Sequence, residues 1–229
     1  GSGVALRFIE QFEGQFMRRV ERYGDHRLAA GGKEDFDQVF AYGEQQVKTC
    51  VTAALDAVCS SNVVQEYPVD RKRSARKPGF AVGKGKVDYW CKYGKWTPLE
   101  ILVEVKHDWI RYHENRQPTV YASASERHDE AVRQLRDIVN KRDLGDYAMA
   151  LTILPVFRLT ISKTVQDMDY DLLARIVDKA GNDTSAQRAR GFALPPKQRE
   201  AIFPFKNENL RKYYESYPAV VLVWSVMKV

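Results

Sequence analysis

Between Ala5 and Tyr23 the apolar residues Leu6, Ile9, Phe12, Phe16 and Val20 recur every three or four positions, the spacing of a helix that buries one stripe. Gly24 follows as a stop signal. The same period returns from about Glu34 to Cys59 on Phe36, Val39, Phe40, Val47, Val51, Leu55 and Val58. It predicts a second, longer helix with Glu44 inside it. The period then shortens to two: "NVVQEYPVD" alternates and is β-branched. After a basic loop, "KVDYWCKYGKWTPLEILVEVKHDW", residues 86 to 109, reads as two strands around a turn.

Helical spacing resumes in "ERHDEAVRQLRDIVNKRD", at Ala131, Leu135, Ile138 and Val139, and "YAMALTILPVFRLT" predicts a further strand. A short helix around Asp169 to Ala180, a polar loop "GNDTSAQRARGFALPPKQ", a helix or turn near Glu208 to Glu215 and a strand from Pro218 to Lys228 complete the pattern. The expected class is α/β: a helix, a three-strand meander, a helix and a strand around a mixed central sheet. An N-terminal helix (4–24) and a C-terminal helix and strand extension (161–229) are added to a core of about 34–160. All of 4–229 is expected to form one domain, and Gly1-Ser2-Gly3 reads as a cloning remnant.

Composition narrows the partners. The net charge of +6 favours a polyanion over an acidic small molecule. No apolar run approaches the roughly 20 residues needed to span a bilayer, so a soluble protein without a membrane partner is expected. Cys50, Cys59 and Cys91 are odd in number and show no zinc spacing, which fits a reducing cytoplasm better than a disulfide framework. His107, His113 and His128 likewise lack the fixed spacing of a zinc site, and "GFAVGKGK" lacks the Ser or Thr of a phosphate-binding P-loop.

The chemistry concentrates on the hairpin. A turn centred near Trp96 sets Asp88 opposite Glu104, and strand alternation puts Glu104 and Lys106 on one face. Two facing carboxylates repel unless a positive charge lies between them. Magnesium would resolve the conflict, with Asp88, Glu104 and the Val105 carbonyl as oxygen ligands. Lys106 could then orient or deprotonate a water, or stabilise developing charge.

"VD" at Val87-Asp88 followed by "EVK" at Glu104-Val105-Lys106 resembles the PD-(D/E)XK nuclease superfamily, with Val87 in place of the proline. The resemblance covers roughly Glu34 to Thr160 and implies a restriction-endonuclease-like fold. It also implies an endonuclease-type hydrolase that cuts phosphodiester bonds with Mg2+ or Mn2+, DNA being the first choice of substrate. Carried over, it assigns metal ligands to Asp88 and Glu104 and the catalytic lysine to Lys106. It adds Glu44 from the preceding helix and Gln134 from the following one.

Arg71, Lys72, Arg73, Arg76, Lys77, Lys84 and Lys86 put seven cations and no acid beside Asp88, a candidate nucleic-acid-binding arm. A non-catalytic nucleic-acid-binding sensor or assembly subunit on the same fold is the alternative reading. Assembly with a second copy or a partner subunit is open at this level.

Overall fold

The computed structural model describes residues 2–31, 39–42, 44–60, 62–72, 82–112, 118–138, 145–160, 169–194, 203–206 and 212–228. Among these, four α-helices pack on a mixed sheet of nine strands. The first helix, α1, runs Ser2–Gly31, so it starts within the supposed remnant and passes through Gly24. An interior glycine costs a helix only about 1 kcal/mol, and the helix formers Arg27 to Ala30 lie beyond it. Its buried stripe is Ala5, Phe8, Ile9, Phe12, Phe16 and Val20, while Leu6 faces solvent.

The predicted long second helix is broken. A 3-10 turn at Val39–Tyr42 precedes α2, Glu44–Val58, and residues 32–38 and 43 lie outside the described set. Glu44 therefore opens α2, where a negative charge complements the helix dipole. Next come β1 (Val63–Lys72), β2 (Val82–Tyr93) and β3 (Leu99–His107), an antiparallel meander as read from the pattern. The turn between β2 and β3 centres on an exposed Trp96, and Gly94 takes a left-handed φ of 103°.

Two short strands unforeseen in the pattern, β4 (Ile110–Tyr112) and β5 (Thr119–Val120), lead into α3, Ala122–Arg136. The strand β6 spans Tyr147–Thr160, as expected, and runs parallel to β3 and β4. Its Pro155, which has no N–H to give, sits between the β3 ladder ending at Ile153 and the β4 ladder beginning at Val156.

Helix α4 (Tyr170–Thr184) starts on Asp169, whose side chain accepts a hydrogen bond from the Asp171 N–H. The supposed polar loop contains β7, Arg188–Ala193. Gly191 is what admits this strand, because a Cβ there would collide with Val177 and Leu173 of α4. Of the helix or turn expected near 208–215, residues 208–211 lie outside the described set and 212–215 are strand. After β8 (Phe203–Lys206), β9 occupies Lys212–Lys228, and the β-forming Tyr213 and Tyr214 pair with Phe205 and Pro204.

Alternation along β6 and β9 separates two layers. Met149, Leu151, Ile153, Val220, Leu222 and Trp224 join the cluster under α1 and α2. Leu154, Val156, Ala219, Val221 and Val223 join the α4 side, and Leu102, Ala148 and Ala150 pack with α3. The sheet is thus covered on both faces, which explains why β3 reads as an almost unbroken apolar run. No helix among the described residues is long and apolar enough to cross a membrane.

Candidate active site

The β2–β3 ladder closes at Tyr93 opposite Leu99 and runs to Tyr89 opposite Val103, then stops. One step further along the same register lie Asp88 and Glu104, so the predicted pairing falls where the two strands part. The parting leaves the Val105 N–H without a strand partner. Asp88 fills the gap, its Oδ2 accepting from the Val105 N–H at 2.9 Å, since a buried backbone donor must be satisfied. Val105 thus meets Asp88 through its N–H, whereas the sequence suggested its carbonyl as a ligand.

Alternation slips at the same point. Val87 packs on the α3 side while Tyr89 and Cys91 pack on the α2 side. On β1, Glu66 faces Asp88 across a break in the ladder and takes a φ of 50°, a sparsely populated conformation for a residue with a Cβ. Asp88 consequently turns into the fork rather than standing on one sheet face.

Lys48, on the first turns of α2, donates to Asp88 Oδ1 at 3.1 Å and lies 2.9 Å from Glu44 Oε1. Across the fork, the buried Glu104 is held by Lys106 at 3.3 Å and by Arg71 at 3.4 Å. The Arg71 guanidinium also donates to the Lys86 carbonyl, tying β1 to β2. Lys106 reaches Glu130 of α3 at 3.9 Å, and Gln134 donates to that same Glu130 carboxylate at 3.0 Å. Gln134 Oε1 is buried without a hydrogen-bond partner. Lys48 thus bridges Glu44 and Asp88, while Glu104, Lys106, Glu130 and Gln134 form a second run; the Val105 N–H, between Glu104 and Lys106 in sequence, is what joins the two into one polar chain.

The charge balance explains the titration. Burial first, then the Asp88 charge, push the Glu104 carboxyl above its usual range, with Lys106 and Arg71 opposing. Burial would raise Glu44 and lower Lys48. Their mutual contact outweighs it, helped by Lys106 and His107 at Glu44 and by Asp88 at Lys48, so Glu44 lies below its usual value and Lys48 above. His107, buried beside the cluster with Nε2 unpartnered, is brought down to about 4 by burial, against Glu44 and Asp108. It stays neutral at physiological pH.

The sequence reading missed three partners. Lys48 had a legible signal, the i,i+4 spacing from Glu44. Glu130 shows the same spacing to Gln134. Arg71 was grouped with the phosphate-binding cations, and only the β1–β2 register turns its guanidinium toward Glu104. Of the remaining cations of that group, Lys84 and Lys86 are exposed, and Lys86 pairs with Glu66. Arg73, Arg76 and Lys77, the Lys72 side chain, and His113 lie outside the described residues.

Three carboxylates supply the hard oxygen donors that magnesium or manganese takes. The Asp88 charge adds to burial in raising the Glu104 carboxyl, and carboxylate oxygens are the donor type such a cation takes, one or two per ion with waters. In the described geometry Lys48, Arg71 and Lys106 pair with these carboxylates instead. Among the described residues no group of three or more His, Cys, Asp or Glu is arranged to hold a metal.

Beside Asp88 a cleft of about 470 Å³ opens between α2 and the β1–β2 pair, lined among others by Gln45, Lys48, Thr49, Gln65, Glu66 and Tyr89. In comparisons with known proteins, no family model, no curated protein and no solved structure matches the chain.

Proposed function

We propose that the chain hydrolyses nucleic-acid phosphodiester bonds with magnesium or manganese, and that DNA is its substrate. The observation that carries the reading is the fork: Asp88 sits where β2 leaves β3, beside a buried Glu104 whose carboxylate Lys106 touches. Apart from the short β4 and β5 inserted before α3, the order α2, β1 to β3, α3, β6 agrees with what the PD-(D/E)XK resemblance implies and supports a restriction-endonuclease-like core.

Asp88, Glu104 and Glu44 would hold the cation. When bound, it would polarise the phosphate and make a water more acidic. Asp88 is positioned for this by the Val105 N–H, which fixes Oδ2, while Oδ1 is held by Lys48. Lys106, held between Glu104 and Glu130, can donate to a phosphate oxygen or orient the attacking water. Gln134 keeps Glu130 in place, and its own buried carbonyl oxygen has no hydrogen-bond partner. Lys84 and Lys86 add positive charge along β2 for the backbone. The three cysteines are buried free thiols, in keeping with the reducing cytoplasm we propose as its location.

One observation favours the non-catalytic alternative: Lys48 and Arg71 already neutralise Asp88 and Glu104, as a pure binding module would allow. Incubation with plasmid, linear duplex, single-stranded DNA and RNA, with and without Mg2+ or Mn2+, separates the two. Metal-dependent cutting that Lys106→Ala abolishes is expected. Salt-sensitive binding with no cutting of any substrate, unchanged in Glu104→Ala, would leave the binding module.

A further inference from the structure

Within the polar chain, Lys48 has a placement that the proposed chemistry does not use. Its ammonium lies between two carboxylates on different elements, 2.9 Å from Glu44 Oε1 at the start of α2 and 3.1 Å from Asp88 Oδ1 in the fork. Both acids belong to the proposed metal set. An ammonium bridging two carboxylates satisfies the same need as a divalent cation, namely positive charge between oxygens that otherwise repel. The two cannot share the position, because a cation entering there meets a like charge at hydrogen-bond distance from both ligand oxygens.

We infer that Lys48 is an internal stand-in for the metal. It holds Glu44 and Asp88 in place in the metal-free protein and must be displaced for the cation to bind. The inference rests on the phosphodiesterase reading and adds a positioning residue to it. The geometry gives the displaced side chain somewhere to go. Lys48 and Asp88 both line the cleft of about 470 Å³, and the lysine side chain is 27 % exposed. Displacement would carry the ammonium away from the fork along this cleft, where a substrate phosphate would be its next partner. Arg71 and Lys106 differ: both are less exposed than Lys48, and both hold Glu104 from the other side of the fork.

The test is Mn2+ binding by titration calorimetry, with Mn2+ alone as ligand, to the parent, Lys48→Met and Lys48→Arg, together with melting temperatures in EDTA and in saturating Mn2+. Removing the competing charge is expected to tighten Mn2+ binding by about tenfold or more in Lys48→Met, while Lys48→Arg binds no tighter than the parent. Lys48→Met is expected to melt below the parent in EDTA, where Glu44 and Asp88 lose their shared partner, and at or above it in Mn2+. A merely structural salt bridge would lower the melting temperature by the same amount in both.

Equal or weaker Mn2+ binding by Lys48→Met overturns the stand-in role and leaves the metal site. Absence of Mn2+ binding in every protein overturns the metal-dependent reading as well. If Lys48→Met does not fold, Lys48→Gln replaces it, with the same expectations.

Discussion

Among the described residues, two of the places that bury a carboxylate beside cations are built differently. On α1, Glu13 is fully buried, and one carboxylate is shared by three donors: Trp224 Nε1 at 3.2 Å on Oε1, with Arg190 at 3.2 Å and Arg188 at 3.4 Å on Oε2. At the fork the proportions are reversed. Glu44, Asp88, Glu104 and Glu130 divide Lys48, Arg71 and Lys106 between them, and Glu104 feels the Asp88 charge as well as its own burial. A buried acid surrounded by donors is a structural joint that locks α1 onto β7 and β9. A crowd of acids with too few cations stores repulsion, and that repulsion is what a ligand of opposite charge can relieve.

The sharpest separation comes from activity. Lys106→Ala is expected to slow DNA cleavage by about 10²- to 10⁴-fold, the usual contribution of a positioned proton-transfer or charge-stabilising group, with a smaller fall in stability than Glu13→Ala because Arg71 still faces Glu104. Glu13→Ala should do the opposite. It leaves Arg190 and the indole N–H without this acceptor and Arg188 with Glu10 alone, at 3.7 Å, a loss of about 1–3 kcal/mol of stability in urea titration, while the protein that remains folded cuts at the parental rate. If Glu13→Ala abolished cleavage without unfolding, the distinction between the two acid sites would collapse.

Glu104→Gln tests the same contrast through stability alone. The folded protein holds the Glu104 proton more tightly than the unfolded chain does, so its carboxyl costs stability as pH rises through and above the ordinary carboxylate range. Replacing it by a neutral amide removes that cost and also loses two ion pairs. Glu104→Gln is therefore expected to lie within about 1 kcal/mol of the parent at neutral pH, and to compare better with the parent at pH 7 than at pH 4. A penalty as large as that of Glu13→Ala would show Glu104 to be a joint rather than a strained acid.

The contrast also explains what could be read beforehand. The hairpin register was legible because Gly94 and Pro98 bracket the turn and because Glu104 and Lys106 share a strand period. The fork itself was not, since the departure of β2 from β3 at Asp88 depends on β1 breaking step at Glu66, and no local pattern announces a φ of 50° at a glutamate. Strand β7 was hidden by arginines that point at Glu13, as its "RARGFA" looks polar until α1 is known to bring a carboxylate to it. The start of β9 was misread for a related reason: Tyr213 and Tyr214 suit either a helix or a strand, and β8 decides between them. Glu13 gave no signal at all, being one polar residue beside a good apolar stripe.

A smaller effect comes from His128, a buried polar group of the satisfied kind. It lies on α3 with Nδ1 at 2.9 Å from Thr152 Oγ1 and Nε2 at 2.9 Å from Ser225 Oγ, joining α3 to β6 and β9. Burial lowers its imidazole below the ordinary value of 6.5, with the Asp129 charge opposing. The unfolded chain therefore takes up this proton at higher pH than the folded protein does. The stability linked to the neutral ring is fully present above about pH 6.5 and is lost as pH falls below it. One proton limits the slope to about 1.4 kcal/mol per pH unit. His128→Gln keeps a donor and an acceptor near the two hydroxyls but does not titrate, so it should be less stable than the parent at pH 7.5, by about 1 kcal/mol, and lose less between pH 7 and 5. Urea unfolding at the two pH values reads both quantities. Equal losses in parent and variant would mean that His128 is protonated in the folded protein too, and that its two hydroxyl contacts do not hold it neutral.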